Sequence, residues 1–350
     1  MERAAVRAFM DRFMQMTSGA AVLGVLGVAD RTGLFQKLAA QGPMTLEEIV
    51  ERTGLQERYL REALACLAAA EILRYDPDAS TYELPDEHAV CLADERSPYF
   101  LGGWTQVIRA ILAAVPGVAH AFREGGGVPY ADFGPDMVEG IDRTNAPGLR
   151  ILLTRRWLPA MPGVVERLKQ GIRVADVGCG SGSAALTMAK AYPGSTVTGY
   201  DLDPTSIERA RESAQREALA NVQFEQVDAE ALPTEPGFDL ITSLDVIHDL
   251  VNPSKVLCRI RAALRAGGTY LMVEPNAADS LRENLGREGA LLYAMSTLHC
   301  LTVSLAHGGE GLGTAWGPKK AEQLCQEAGF RTFRRLEIEN PFNAFYEVRA

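Results

Sequence analysis

Apolar positions recur at helical spacing through the first seventy residues. Val6, Phe9, Met10, Phe13 and Met14 fall at i, i+3, i+4, i+7 and i+8, a stripe that needs a partner, either the chain's own core or a second copy of it. Thr45-Leu46-Glu47-Glu48 has the form of a capping box and predicts a short helix that Gly54 ends. Leu60, Leu64 and Leu67 share one face of the helix that follows. Two strand-like runs, 71–75 and 81–84, then flank the turn Asp76-Pro77-Asp78. Helix, turn, helix and hairpin make a winged-helix pattern.

From 97 to 170 the helical spacing is interrupted by Pro98, Pro116, Pro129, Pro135, Pro147, Pro159 and Pro162, as in a connector. Within it, 123–130 runs through three glycines into Pro129 and Tyr130, a bend that suits a lid over a cleft. Past 171 the period changes. Short apolar runs at 172–177, 196–200, 222–227, 238–243 and 268–275 alternate with helices starting near Ser183, Pro204 and Pro253. Buried strands separated by helices predict a parallel sheet covered on both faces. A last helix from Pro318 to about Ala328 precedes two more strand-like runs. The expected organisation is a winged-helix or dimerisation domain over 1–96, a helical connector and substrate lid over 97–170, and an α/β domain over 171–350 with a helical cap insert at about 275–316.

Composition narrows the partners. With 35 Lys+Arg against 45 Asp+Glu the chain carries a net charge of −10, which opposes the counterion-release attraction behind nucleic-acid affinity. The winged-helix segment is itself acidic, with ten Lys+Arg and sixteen Asp+Glu in residues 1–100, so a scaffold or dimerisation role is expected rather than DNA reading. The small-apolar run at 20–29 is too short to span about 30 Å of hydrocarbon, and no membrane segment or export signal is expected. Cys66, Cys91, Cys179, Cys258, Cys300 and Cys325 contain no C-x-x-C pair, which predicts reduced thiols in the cytoplasm.

The run Asp176-Val-Gly178-Cys179-Gly180-Ser-Gly182 leaves a strand, turns on glycines and enters a helix where open α/β sheets bind ligands. Its third glycine falls at 182, not 183, which disfavours a dinucleotide, and no Gly-Lys-Ser/Thr follows to make a nucleoside triphosphate loop. Asp201 lies 23 residues past Gly178 at the end of the second strand, the distance for a carboxylate that accepts both ribose hydroxyls. Asp203 beside Pro204 is read as an N-cap. Asp228 and Ala229 close the third strand, placing a carboxylate where it can accept from an adenine amine.

These segments together resemble the class I S-adenosylmethionine-dependent methyltransferases over residues 172–350. The resemblance implies a Rossmann-like, seven-stranded domain in which residues 176–182 wrap the methionine part of the cofactor, Asp201 binds ribose, Leu202 packs on adenine and Asp228-Ala229 meet the adenine amine. It also implies that the segment 238–248, with Ser243 and Leu244, floors the pocket, and that 263–268 forms the turn before the fifth strand, with Ala266 where proline is usual. A winged-helix domain ahead of this fold resembles the small-molecule O- and C-methyltransferases of secondary metabolism, and implies a homodimer acting on a small organic acceptor.

Methyl transfer needs alignment and an electron-rich nucleophile, for which a histidine base is suited. Of five histidines, His248 follows the fourth strand and His299 lies in the cap insert. Leu291, Met295, Leu298, Thr302 and Leu305 form one stripe of that insert, with His299 at its edge. The pair Ile247-His248-Asp249 and Leu298-His299-Cys300 resembles enzymes that methylate α-keto acids at carbon, which implies His248, Asp249 and His299 as ligands of iron or a similar ion. Without a metal the same histidines are base candidates for O-methylation. Arg109, Arg143, Arg150 and Arg155 are possible clamps for an acidic acceptor. The competing reading is a winged-helix regulator whose second domain senses the cofactor without catalysis.

Overall fold

A computed structural model describes residues 1–235 and 237–350. The chain packs as two units, Met1–Arg109 with Glu139–Pro147, and Ala110–Val138 with Gly148–Ala350. The stretch expected as a connector is therefore divided between them.

The first unit contains α1 (Arg3–Arg31), α2 (Leu34–Leu38), β1 (Met44–Thr45), α3 (Leu46–Thr53), α4 (Glu57–Ala69), β2 (Arg74–Asp76) and β3 (Thr81–Glu83). The capping box forms as its residues dictate: Thr45 Oγ1 accepts from the Glu48 amide at 3.3 Å and Glu48 Oε2 accepts from the Thr45 amide at 2.7 Å. Gly54 ends α3 in the left-handed region, with φ 69°. The hairpin pairs Tyr75 with Tyr82, and β1 joins it in the order β1-β3-β2. Phe35, Ile49, Leu60, Leu64 and Leu67 form the core. On α4 the arginines face acids of the same helix, Arg58 with Glu62 and Arg61 with Glu57, each at 2.6 Å. That leaves little free positive charge for phosphates.

Two expectations for this unit change. Phe9, Met10, Phe13 and Met14 are each more than half exposed, so the α1 stripe is not part of this chain's core. Arg143 is not a substrate clamp. Its guanidinium donates to Asp30 at 2.8 and 2.9 Å and to Gln106 at 2.7 Å, pairs with Glu95 and lies over the Phe100 ring. Arg109, Arg150 and Arg155 lie exposed.

The second unit is built on β4 (Arg173–Val177), β5 (Thr196–Asp201), β6 (Val222–Gln226), β7 (Phe238–Leu244), β8 (Leu264–Pro275), β9 (Thr332–Arg335) and β10 (Asn343–Arg349). They form one sheet in the order β6-β5-β4-β7-β8-β10-β9, parallel from β6 to β8, with β10 antiparallel to both β8 and β9. Strand order reverses beside β4, which opens a crevice at the carboxyl ends of β4 and β7. Alternate strand residues feed two cores: Val174, Leu240 and Leu271 pack on one face, Val177, Ile241 and Tyr270 on the other. The expected turn at 263–268 is instead drawn into β8, where Phe238 pairs with Leu264 and Leu240 with Thr269 across a register shift.

Among the described residues, two helical stretches, Arg3–Arg31 and Arg287–Ala306, are long and apolar enough by length and composition to cross a membrane.

Candidate active site

The turn after β4 is shaped by what glycine permits. Gly178, Gly180 and Gly182 have φ of 67°, 52° and 82°. A Cβ at 178 would lie 2.5 Å from Val246, and one at 182 would lie 2.6 Å from Phe224, so these two glycines let the turn sink onto its neighbours. A Cβ at 180 would meet nothing within 4 Å, so that position borders open space. Asp176 is buried, and its Oδ1 accepts from Thr242 Oγ1 at 2.6 Å. Its Oδ2 is buried without a hydrogen-bond partner. Burial pushes this carboxyl up to about 7, opposed by Thr242 and reinforced by Asp201. Ser181 Oγ, on the same turn, is also buried without a partner. Two orphaned polar atoms beside an open backbone concavity fit a polar ligand.

Downstream residues extend the crevice. Asp201 at the end of β5 accepts from the Gly180 amide at 2.8 Å through Oδ2 and from the Asp203 amide at 2.9 Å through Oδ1. Burial raises its pKa against these amides. Leu202 beside it is 63% exposed, an apolar surface left uncovered. Asp203 caps the next helix through the Ser206 amide at 2.8 Å, as expected. Asp228 accepts from the Glu230 amide at 2.9 Å and starts a short 3-10 helix at Ala229, so one of its oxygens serves the backbone. The Cys179 amide donates to Tyr200 O at 3.0 Å, and burial with Asp176 and Asp201 nearby pushes its thiol up. Ser243 is turned away: its hydroxyl pairs with Tyr270 at 2.6 Å in the core, and only its backbone and Leu244 reach the strand end.

A second cluster lies past β7 and β8. Glu274 Oε1 accepts from the Ile247 amide at 2.9 Å, and its Oε2 lies 2.8 Å from His248 Nδ1, both side chains being buried. Burial works against charge on His248, but Cys300 and Glu274 outweigh it and hold the imidazole well above its ordinary pKa. Asp245, the residue that aims this turn, sits at φ 58°, a strained conformation for a non-glycine residue, and accepts from Asn343 at 2.6 Å. Burial pushes Asp245 up to about 7 and Asp249 up to about 6, His248 opposing in both cases.

The cap insert supplies the facing wall. It runs as a helix Arg287–Met295, a π-turn Ser296–Cys300 and a helix Leu301–Ala306. The π-turn alters the expected apolar stripe: of its members Thr302 is buried and Leu305 exposed, and Ser296, His299, Cys300 and Ser304 are buried beside Thr302. Phe133 and Tyr130, at the end of the lid segment, meet the His299 ring edge-on at centroid distances of 4.8 and 5.8 Å. Burial pushes the Tyr130 hydroxyl well above its ordinary value, and Asp201, Asp249 and Asp203 add to it, which puts this ring in the field of the crevice acids.

The expected metal set is not assembled. Among the described residues no group of three or more His, Cys, Asp or Glu side chains is arranged to hold a metal ion. His248 commits Nδ1 to Glu274, and His299 turns Nδ1 to the Cys300 sulfur at 3.5 Å. Sequence reasoning did not pick out Glu274, Cys300, Ser181, Tyr130 or Phe133. Ser181, Tyr130 and Cys300 fall inside the glycine turn, the lid bend and the His299 motif without a role of their own, and Glu274 shows only as an acid at the end of an apolar strand.

Comparison with known proteins places this geometry. Residues 168–329 match a family described as a methyltransferase domain, and residues 20–94 match the Rv2258c-like winged helix-turn-helix domain. The ubiquinone biosynthesis O-methyltransferase of Paracidovorax citrulli is 33% identical over 126 residues, 35% of this chain and 52% of that protein. The 27-O-demethylrifamycin SV methyltransferase of Amycolatopsis mediterranei is 34% identical over 181 residues, 49% of this chain and 64% of that protein. The chain spans about half the length of the first of these curated relatives. Among solved structures, a mitomycin 7-O-methyltransferase has a TM-score of 0.74 at 20% identity, covering 99% of both chains. Human N-acetylserotonin methyltransferase in complex with S-adenosylmethionine has a TM-score of 0.74 at 20% identity, covering 100% of this chain and 99% of that one. These likenesses establish the fold. The chain joins a winged helix-turn-helix domain to a Rossmann-like methyltransferase domain.

Proposed function

We propose that this chain transfers the methyl group of S-adenosylmethionine to a hydroxyl of a small organic acceptor. One observation carries the reading: a glycine turn with orphaned Asp176 and Ser181 atoms opens at the strand-order reversal, and a buried histidine–carboxylate pair stands at the ends of the next two strands. S-Adenosylmethionine, when bound, supplies an electrophilic methyl on a positive sulfur. Asp176, Gly178, Cys179, Gly180 and Gly182 hold its amino-acid end, Asp201 its ribose, and Leu202, Asp228 and Ala229 its adenine. The Ser243 backbone and Leu244 form the floor. His248, fixed by Glu274, takes up the proton the acceptor releases. Oxygen as the nucleophile agrees with the relatives named as O-methyltransferases.

The test is titration with S-adenosylhomocysteine, followed by methyl transfer to a panel of phenols and dihydroxyarenes. One molecule bound per chain and transfer to at least one hydroxyl are expected; no heat and no thermal shift would refute the assignment. A cofactor-sensing regulator would instead bind DNA tightly in a salt-sensitive gel shift, against the acidic balance of residues 1–100.

A second copy of the chain is the proposed occupant of the α1 stripe, since Phe9, Met10, Phe13 and Met14 are exposed on a helix that begins at Arg3. Sedimentation should give a dimer that Phe13→Glu converts to monomer. A wild-type monomer at micromolar concentration would refute it.

A further inference from the structure

Beyond the cap helices the chain turns back through 307–317, where five of eleven residues are glycine. Its hydrogen bonds retrace the cap from end to start. The Gly309 amide donates to Ser304 O at 3.0 Å, the Gly311 amide to Ser304 Oγ at 3.1 Å and the Thr314 amide to Ser296 Oγ at 3.3 Å. Thr314 Oγ1 then donates to Leu292 O at 2.7 Å, on the helix that leads into the π-turn Ser296–Cys300. Glycine lets the segment lie this close: a Cβ at 313 would run into Ser296 Oγ, and one at 309 into Ser304 Oγ and, at 2.8 Å, the Val251 Cα.

The other side of the same segment holds the turn that carries His248. That turn, Ile247–Asp249, is one turn of 3-10 helix whose own bond, from the Asp249 amide to Val246 O, is 3.3 Å long. So short a helix leaves its carbonyls to find partners elsewhere. The Gly313 amide donates to His248 O at 3.0 Å and the Glu310 amide to Val251 O at 2.9 Å, and from the cap itself Ser304 Oγ donates to Leu250 O at 2.7 Å. Glu274 grips the amide side of the turn through Ile247 at 2.9 Å. Ser304 and Thr314 are 0% and 4% exposed, so water has no access to replace their bonds.

Building on the methyl-transfer reading above, we propose that residues 307–314 form a strap that registers His248 against the cap, with Thr314 and Ser304 as positioning residues for the transfer. Thr314 ties the strap to the cap at Leu292, and the amide next to it, that of Gly313, holds His248. Ser304 joins cap, strap and turn through one hydroxyl, which accepts from Gly311 and donates to Leu250. Loss of either hydroxyl lets the base drift from the acceptor, and a displacement of about 1 Å is enough to slow a positioned reaction by up to about 100-fold.

The test compares wild type, Thr314→Val, Thr314→Ser, Ser304→Ala, His248→Gln and the double variant Thr314→Val/His248→Gln in steady-state and single-turnover transfer to the best phenol of the panel. Valine keeps the branched shape of threonine without its donor, and serine keeps the donor. Thr314→Val and Ser304→Ala should each lower kcat about 10-fold, and Thr314→Ser should hold it within about threefold. KM for S-adenosylmethionine should stay within about threefold in all three, because the glycine turn and Asp201 lie on other segments. A residue that acts through His248 has nothing left to act on once the imidazole is gone, so the double variant should be no more than about twofold slower than His248→Gln alone. Amide exchange in the wild type needs no variant to fold: Glu310 and Gly313 should exchange slowly, and exchange at the rate of an open loop overturns the strap. Losses that multiply in the double variant, or a Thr314→Val enzyme with the wild-type kcat, also overturn it and leave methyl transfer intact. A wild type that binds no S-adenosylhomocysteine and methylates nothing overturns both.

Discussion

Replacing His248 with glutamine is expected to lower methyl transfer by about 10²- to 10⁴-fold, the usual worth of a positioned general base. Glutamine fills much of the same space and can still donate to Glu274, but it has no basic nitrogen, so the loss reports proton uptake more than packing. Affinity for S-adenosylhomocysteine should be nearly unchanged, because the crevice acids and the glycine turn lie on other segments. Single-turnover transfer and calorimetry measured together decide the matter: an equal fall in both would make His248 a structural residue. The pH dependence has a definite sign. A base must be unprotonated to act, and Cys300 and Glu274 hold His248 above its ordinary value against burial, so the wild-type rate should climb with pH through a limb above the usual histidine range. Glu274→Gln removes the carboxylate and should move that limb to lower pH.

Asp201→Ala is expected to weaken cofactor binding by roughly 1.5–3 kcal/mol, about 10- to 150-fold, through loss of charge-assisted hydrogen bonds to the ribose. Two contributions add in this variant. The carboxylate also accepts from the Gly180 and Asp203 amides, so alanine both removes the ribose acceptor and frees the turn it braces. Asp201→Asn separates them, since its amide oxygen retains one backbone bond while the charge is gone. If calorimetry finds the wild-type affinity in Asp201→Ala, the ribose assignment is wrong.

What was legible in the sequence was local chemistry. The capping box at Thr45 and Glu48, the wing at Asp76 and the glycine turn at 178–182 each depend on residues a few positions apart, and each formed. The five parallel strands were legible because β-branched and aliphatic runs alternate with capped helices. Long-range partners were not. Nothing near His248 in the chain announces Glu274 or Cys300, which arrive from 26 and 52 positions away. Strand alternation fixes the facing of Ser243: Thr242 faces Asp176, so its neighbour Ser243 points to the opposite side of the sheet, where it meets Tyr270. The α1 stripe is legible as an apolar face, but its partner is not, because periodicity shows that a face is apolar and not what covers it. The cap was misjudged for a sharper reason. A 3.6-residue period presumes an unbroken α-helix, and the wide turn at Ser296–Cys300 shifts the phase, bringing polar groups in and carrying Leu305 out.

That wide turn also bears on how this chemistry is acquired. A π-turn closes its hydrogen bonds one residue further along than the α-helix it interrupts. Excising one residue between Ser296 and Cys300 would swing everything beyond it by about 100°, moving the cap side chains relative to His248 while the glycine turn and Asp201 kept their places. The glycine turn and the cap are thus separately tunable: the length of one cap helix can change without disturbing the sheet.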